Sequence, residues 1–346
     1  MKIDAIALAK KIQTQLQIYQ QHQQFSQIAQ LITFALQVLP SDYNRKIFGD
    51  IPTLFREVEI KDYEQFQQQD MYFEEPIIYK IYYPNQQQLY DIPYFYVFCY
   101  LKDQSHQLSV YFQSAHPNYQ SLTQNEYSLA TKKIKFEGSI SAFKLKNISV
   151  ISISDPGHFI PGLTSSFYAG SAEINFNQII ANFLDKFCSF ASIKLKDTML
   201  FGSSAGTFGA LLSSTYLQNK ANVLAVNSQI NLHYRKHLMK TLFEIDHPQN
   251  LLIKFGNQIS CSYRFKQELN SIPNIYLLAN INDKLHQRNF DFYQLYLSRF
   301  VSKGTNNQSV FDSYYGVEGH GRPESNSLKR KIEIAREVLT MKATWE

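Results

Sequence analysis

The chain has 346 residues, 44% hydrophobic and 18% charged, with 26 Phe and 23 Tyr, which excludes disordered, collagen-like, coiled-coil and disulfide-scaffold classes. Its length allows two ordinary domains or one large α/β domain with an appendage. A net charge of +5 spread over 34 basic and 29 acidic residues is too mild and dispersed for a nucleic-acid surface, but leaves an anionic small molecule open as a partner.

Glutamines crowd between residues 13 and 37, yet Phe25, Ile28, Leu31, Ile32, Ala35 and Leu36 recur with a helical period, so the glutamines form a solvated helix face. Pro40 ends this segment, and Ser41-Asp42 can cap a second helical stretch through about Val58. Residues 1–70 thus read as a helical appendage and 71–346 as the main domain. The appendage's apolar stripe requires cover from the main domain or from a second subunit, and a homo-oligomer through these helices is the favoured arrangement. The N-terminus lacks the ordered regions of a signal peptide, and the apolar run Leu31–Leu39, broken by Thr33 and Gln37, is too short to span a bilayer. Cys99, Cys188 and Cys261 lie far apart without ligand spacing, so a cytoplasmic protein without a metal site is expected.

From Ile77 the texture changes to short aromatic and β-branched runs, Ile77–Tyr83, Tyr94–Leu101 and Leu108–Phe112, which read as consecutive antiparallel strands. Ser149–Ser154 is a further strand, ending in Asp155-Pro156-Gly157, and a helix over 174–190 follows. Strand Thr198–Phe201 runs directly into glycine. Beyond it come helix 206–218, strand 222–226, helices within 231–245 and 260–270, strand 275–281, a helix over 289–301, strand 309–315 and a closing helix over 327–340. This alternation requires a mostly parallel sheet covered on both faces.

The sharpest local signal is Gly202-Ser203-Ser204-Ala205-Gly206, a G-x-S-x-G between an apolar strand and an apolar helix. So tight a turn strains the serine backbone and has no room for side chains two residues before and after it, needs that Gly202 and Gly206 meet. Ser204 Oγ is thereby lifted above the sheet edge, and the Ala205 N–H at the helix start is aimed where an oxyanion would form. No P-loop lysine follows, although a plain glycine-rich turn without chemistry would carry the same pattern.

With this strand–G-x-S-x-G–helix, residues 75–346 resemble the α/β-hydrolase fold family, whose triad follows in the order Ser, acid, His. The resemblance implies an acid after the next-but-one strand and a histidine in the loop after the last strand. Asp283, at the end of Ile275–Ile281, fits the first place, ahead of Asp246, Asp291 and Asp312. His320, in the loop Gly316-Val317-Glu318-Gly319-His320-Gly321-Arg322-Pro323, fits the second; His286 is too close to Asp283 in sequence to face it. Such folds draw a second oxyanion donor from the loop after the third strand, which makes Ser114 or Ala115 the candidate. His158, after Asp155-Pro156-Gly157, reads first as a plain loop residue, with a substrate contact as the second reading. The lipase-type HGGG sequence is absent, as are HExxH and calcium-loop patterns.

The helical appendage, the Gly319–Pro323 loop and the stretch Phe167-Tyr168-Ala169-Gly170 are also similar to bacterial surface-polysaccharide enzymes of this fold, including acetyl-CoA-dependent capsule O-acetyltransferases. That resemblance implies acyl transfer from acetyl-CoA to a sugar hydroxyl. An esterase or deacetylase acting on an acylated sugar or other ester, and a non-catalytic module binding glycan or protein, are the alternatives. CoA phosphates would call for basic residues at the mouth, with Arg322 the first candidate and Lys329-Arg330-Lys331 the second.

Overall fold

The computed structural model describes residues 5–40, 54–115, 121–218, 221–245, 247–267, 272–298, 309–316, 320 and 325–340. Helices α1 (Ala5–Gln21) and α2 (Phe25–Val38) precede strands β1 (Arg56–Ile60), β2 (Ile77–Tyr82), β3 (Tyr94–Tyr100) and β4 (Gln107–Phe112). A short helix α3 (Ser139–Lys144) leads to β5 (Ile148–Ile153), and α4 (Phe176–Phe190) leads to β6 (Thr198–Ser203). The remainder alternates: α5 (Ala205–Tyr216), β7 (Asn222–Val226), α6 (Lys236–Phe243), α7 (Pro248–Ile259), α8 (Cys261–Gln267), β8 (Ile275–Asn280), α9 (His286–Phe292), β9 (Ser309–Tyr314) and α10 (Ser325–Thr340).

The strands form one nine-stranded sheet in the order β1-β2-β3-β5-β4-β6-β7-β8-β9, in which β3 alone runs against the others. Successive side chains of a strand point to opposite faces, and both faces here are apolar. Phe95, Val97 and Cys99 of β3 face a core shared with α4 to α9, whereas Tyr96, Phe98 and Tyr100 face a second core shared with α1, α2, α3 and α10. Such two-sided burial leaves no alternation to read, which is why the central strands appear in the sequence as continuous apolar runs.

Three expectations are corrected. Leu108–Phe112 does not pair with its predecessor: β4 runs opposite to β3, as a short link requires, but β5 lies between them and β4 pairs in parallel with β5 and β6. Apolar content marks a strand as buried without naming its neighbours. The second helical stretch fails where it is described, because Arg56-Glu57-Val58-Glu59-Ile60 is an alternating strand paired with β2, and its remainder over 41–53 lies outside the described residues. The sheet therefore begins before residue 71. Lys80 of β2 bonds Glu59 at 2.9 Å and lies 3.8 Å from Glu57, so the edge carries charges that discourage pairing with another chain.

The third correction concerns the N-terminal stripe, which this same chain covers. Ile12, Leu16, Ile28, Ile32 and Ala35 are buried in the second core, and Phe55 beside them packs on Phe98 of β3 and Phe143 of α3. At about 25 cal/mol per Å² of apolar surface, each buried Ile or Leu contributes roughly 1.5–3 kcal/mol, so the helices are anchored parts of the fold.

Candidate active site

Ser204 sits at the end of β6 with φ 51° and ψ −114°, a conformation that side chains rarely adopt. The surroundings enforce it. The Ser204 N–H donates to the Val226 carbonyl at the end of β7 (2.9 Å), and Thr207 Oγ1 donates to the Ser204 carbonyl (2.5 Å). A Cβ on Gly202 would lie 2.4 Å from Gly206 C, and one on Gly206 would lie 2.4 Å from Phe112 O. Both glycines are therefore needed for close approach: the first lets α5 fold back on β6, and the second lets the loop after β4 lie against the start of α5.

Asp283 and His320 lie at the same sheet edge as Ser204. Ser204 Oγ is 2.8 Å from His320 Nε2, and His320 Nδ1 is 2.5 Å from Asp283 Oδ2. The Asp283 side chain is 2% exposed and that of His320 42%, so the carboxylate is walled in while the ring stands at the solvent lip. The Leu285 N–H donates to Asp283 Oδ1 (2.9 Å), which turns the other oxygen toward the ring. Asn280 Oδ1 accepts from the N–H groups of Asn282 (3.1 Å) and Gly316 (3.0 Å), and Asn282 Nδ2 donates to the Gly316 carbonyl (2.9 Å). The turn bearing the acid is thus tied to the start of the segment bearing the histidine. Nothing in the amino-acid pattern marks Asn280 or Asn282 for this task, because the partner that both share, Gly316, lies 36 and 34 residues along the chain.

The rival acids are occupied elsewhere. Asp312 accepts from Tyr276 Oη (2.6 Å) and pairs with Lys331; burial pushes its carboxyl upward, but these hydrogen bonds outweigh burial and hold its pKa below the ordinary value. Asp291 accepts from Gln287 (2.8 Å) on the surface of α9, and Asp246 lies outside the described residues. His286 Nε2 lies 3.0 Å from Ser313 Oγ. His158 is fully buried in the turn Pro156–Phe159 and does not line the cleft at Ser204, which corrects its reading as a substrate contact. Arg322 lies outside the described residues, and Lys331 is engaged by Asp312, so the run at 329–331 is in part structural.

The loop after β4 separates the two oxyanion candidates. The Gln113 N–H donates to Tyr168 Oη (2.5 Å), and that hydroxyl donates to the Ile153 carbonyl (2.9 Å). The Ser114 N–H and Oγ both donate to the Glu137 carboxylate (2.8 and 2.7 Å), so the Ser114 amide is taken. Ala115 follows these two pinned residues and lines the cleft beside Ser204 and His320, and its N–H makes no hydrogen bond to a described residue. Ala205 is the first residue of α5, where an N–H has no intrahelical partner. The segment carrying Tyr168 is itself held by buried Asp155, which accepts from Ser165 Oγ (2.7 Å), the Ser166 N–H (2.9 Å), Ser166 Oγ (2.5 Å) and the Gly157 N–H (2.9 Å). Sequence reasoning missed Glu137, Asp155 and the role of Tyr168.

The cleft at Ser204 has a volume of about 560 Å³ and is also lined by Arg235, Lys284 and Arg288. It continues on two sides. One extension of about 310 Å³ shares Tyr234, Leu285 and Arg288 with it, and another of about 320 Å³ shares Thr164, Phe167 and Arg235. Burial lowers the pKa of His233 in the first extension, favouring its neutral ring. Among the described residues, no group of three or more His, Cys, Asp or Glu side chains could hold a metal ion, and no helix is long and apolar enough to cross a membrane.

No protein-family model and no curated protein matches the chain. Among solved structures, the chain is similar to the capsule O-acetyltransferase of Neisseria meningitidis serogroup A, at 16% identity and a TM-score of 0.48 over 70% of this chain and 91% of that one. An esterase from Pyrobaculum calidifontis aligns at 14% identity and TM-score 0.47, over 92% and 97%. Dipeptidyl peptidase 4 of Porphyromonas gingivalis aligns at 12% identity and TM-score 0.49, over 75% and 35%. With β3 alone reversed in the sheet and a strained serine between β6 and α5, the chain has the α/β-hydrolase fold.

Proposed function

We propose that the protein catalyses acyl transfer through Ser204. The observation that carries this reading is the hydrogen-bonded relay Ser204–His320–Asp283 on a strained turn that opens into a cleft. His320 Nε2 takes the Ser204 hydroxyl proton as Oγ bonds to an ester or thioester carbonyl carbon, and Asp283 holds the ring in the tautomer that leaves Nε2 able to accept. The carbonyl oxygen becomes an oxyanion facing the N–H groups of Ala205 and Ala115. Collapse breaks the bond to the leaving group, which receives the proton from His320. An acceptor hydroxyl then gives its proton to His320 as it bonds to the acyl carbon, and His320 returns that proton to Ser204 Oγ as the serine–acyl bond breaks, restoring the free enzyme.

The acceptor in this reading is a sugar hydroxyl of a bacterial capsular or surface polysaccharide, and the donor is acetyl-CoA as a co-substrate. The cleft supports transfer over hydrolysis because extensions on two sides offer room for donor and acceptor to meet at Ser204. The capsule O-acetyltransferase to which the fold is similar bears the same activity in its name. Hydrolysis of acylated sugars or other esters is the reading that remains if water is the acceptor. Ser204→Ala is expected to lower turnover by roughly 10⁴-fold or more with the fold intact. The measurement is acetyl-CoA consumption with and without oligosaccharide acceptors, beside p-nitrophenyl acetate hydrolysis and fluorophosphonate labelling mapped by mass spectrometry. Full activity in the alanine variant refutes the nucleophile; acetyl-CoA turnover indifferent to every glycan, with efficient release of acetate from acetylated sugars, refutes transfer.

A further inference from the structure

The cleft around Ser204 is cationic in a way that a proton relay does not need. Arg235, Lys284 and Arg288 line it together, and among the described residues no carboxylate does. None of the three forms an ion pair with a described residue. The Arg235 guanidinium lies 4.7 Å from the Phe167 ring centroid and donates to Gln229 Oε1 at 2.8 Å, while its Nε–H is buried without a partner among the described residues. The Arg288 guanidinium lies 5.0 Å from the Tyr234 ring centroid, and Tyr234 also faces Arg235 at 5.9 Å. An aromatic face within reach of a guanidinium attracts the cation without using its N–H groups, so those not already bonded can meet an acceptor.

Three like charges around one cleft repel one another, and a buried donor without an acceptor is unfavourable; an anion between them removes both costs. Guanidinium forks match the oxygens of phosphate, and three positive charges exceed what a single carboxylate would balance. Building on the acyl-transfer reading of Ser204, we infer that Arg235, Lys284 and Arg288 form a phosphate-recognition site in the catalytic cleft, so that one of the two substrates carries a phosphate or pyrophosphate group. That group belongs either to the nucleotide end of a CoA thioester or to a phosphorylated sugar.

The test uses the full chain and inorganic pyrophosphate in calorimetric titrations at matched ionic strength. Lys284 and Arg288 are exposed, so Lys284→Gln and Arg288→Gln keep the fold; each is expected to weaken pyrophosphate binding about tenfold, and the wild-type affinity to fall with added salt. Arg235→Lys, which keeps the charge but loses the fork, is expected to weaken it as well. Pyrophosphate is further expected to slow fluorophosphonate labelling of Ser204 in the wild type and not in the double glutamine variant. Displacement by CoA identifies the donor as the source of the phosphate, and displacement by a hexose 1-phosphate identifies the acceptor. Wild-type affinity for pyrophosphate no greater than for sulfate, variants that bind as tightly as wild type, or labelling that pyrophosphate does not slow would each overturn the site. Absence of Ser204 labelling without any phosphate present would instead overturn the acyl-transfer reading, and pyrophosphate binding lost in the variants would stand apart from it.

Discussion

The two loops that meet at Ser204 are built in opposite ways. The turn 202–206 is specified by five consecutive residues, since its glycines have no room for a Cβ and its serine carries the strain. The loop 113–115 has no comparable local code. Its position comes from Tyr168, 55 residues along the chain from Gln113, and from Glu137, 23 residues from Ser114. The strained turn can thus be written in a short motif, whereas the course of the loop beside it depends on tertiary partners. The contrast also explains how Ser114 and Ala115 part company: both lie in the right loop, but Glu137 occupies the first amide.

The contact between the two loops is the place to break this arrangement. Gly206→Ala puts a methyl group 2.4 Å from the Phe112 carbonyl oxygen, so the loop must retreat from the start of α5. Overpacking of this kind costs about 1–3 kcal/mol, and withdrawal of a donor from an oxyanion site lowers turnover about 100-fold or more. Denaturant unfolding and kinetics with p-nitrophenyl acetate check both. A variant with wild-type turnover would show that the loop takes no part in catalysis.

Much of the molecule was legible on the same terms as the elbow. The sheet-and-helix alternation after Thr198, the strand-end position of Asp283 and the post-strand position of His320 all follow from contiguous patterns, and the structure brings Ser204, His320 and Asp283 into hydrogen-bond contact. What could not be read was pairwise and distant. The insertion of β5 between β3 and β4 leaves no trace in either run, and a strand as short as Arg56–Ile60 was absorbed into a helical neighbourhood. Arg235, Lys284 and Arg288 escaped notice because they come from two separate connections and share a cleft only once β7 and β8 lie side by side. The burial of His158 is not legible from its place after a strand, because the hydrogen bonds gathered by Asp155 from 10 and 11 residues away fold that loop inward.

Tyr168→Phe tests the distant half of the contrast with a smaller perturbation. Loss of the hydroxyl leaves the Gln113 N–H and the Ile153 carbonyl without their shared partner, in a buried setting where an unmade bond costs about 1–3 kcal/mol. The loop stays in place through Glu137 but less rigidly. Turnover of a small ester is therefore expected to fall about tenfold while its KM changes little, because in the proposed mechanism the amide at Ala115 acts on the transition state more than on the bound ester. A rise in KM with kcat unchanged would place Tyr168 in substrate binding instead.

The smallest effect is expected at the carboxylate that the relay does not use, Asp312. It lies on β9 and is held by Lys331 and Tyr276, so Asp312→Asn removes an ion pair from the fold and leaves His320 facing Asp283. Turnover is expected to stay within about twofold of wild type, whereas the same change at a triad acid costs roughly 10⁴-fold. The stability effect has a defined direction in pH. Because the folded-state pKa of Asp312 lies below its ordinary value, its ionised form contributes stability above the usual carboxylate range, and that contribution is lost as pH falls through the folded-state value. Lys331 and Asp312 are each about a quarter exposed, so screening limits the effect to about 1 kcal/mol. Urea midpoints of the wild type and the asparagine variant should therefore differ near pH 7 and converge only as pH falls below the ordinary carboxylate range. A loss of activity in this variant comparable to that of Asp283→Asn would move the acid from the turn after β8 to β9.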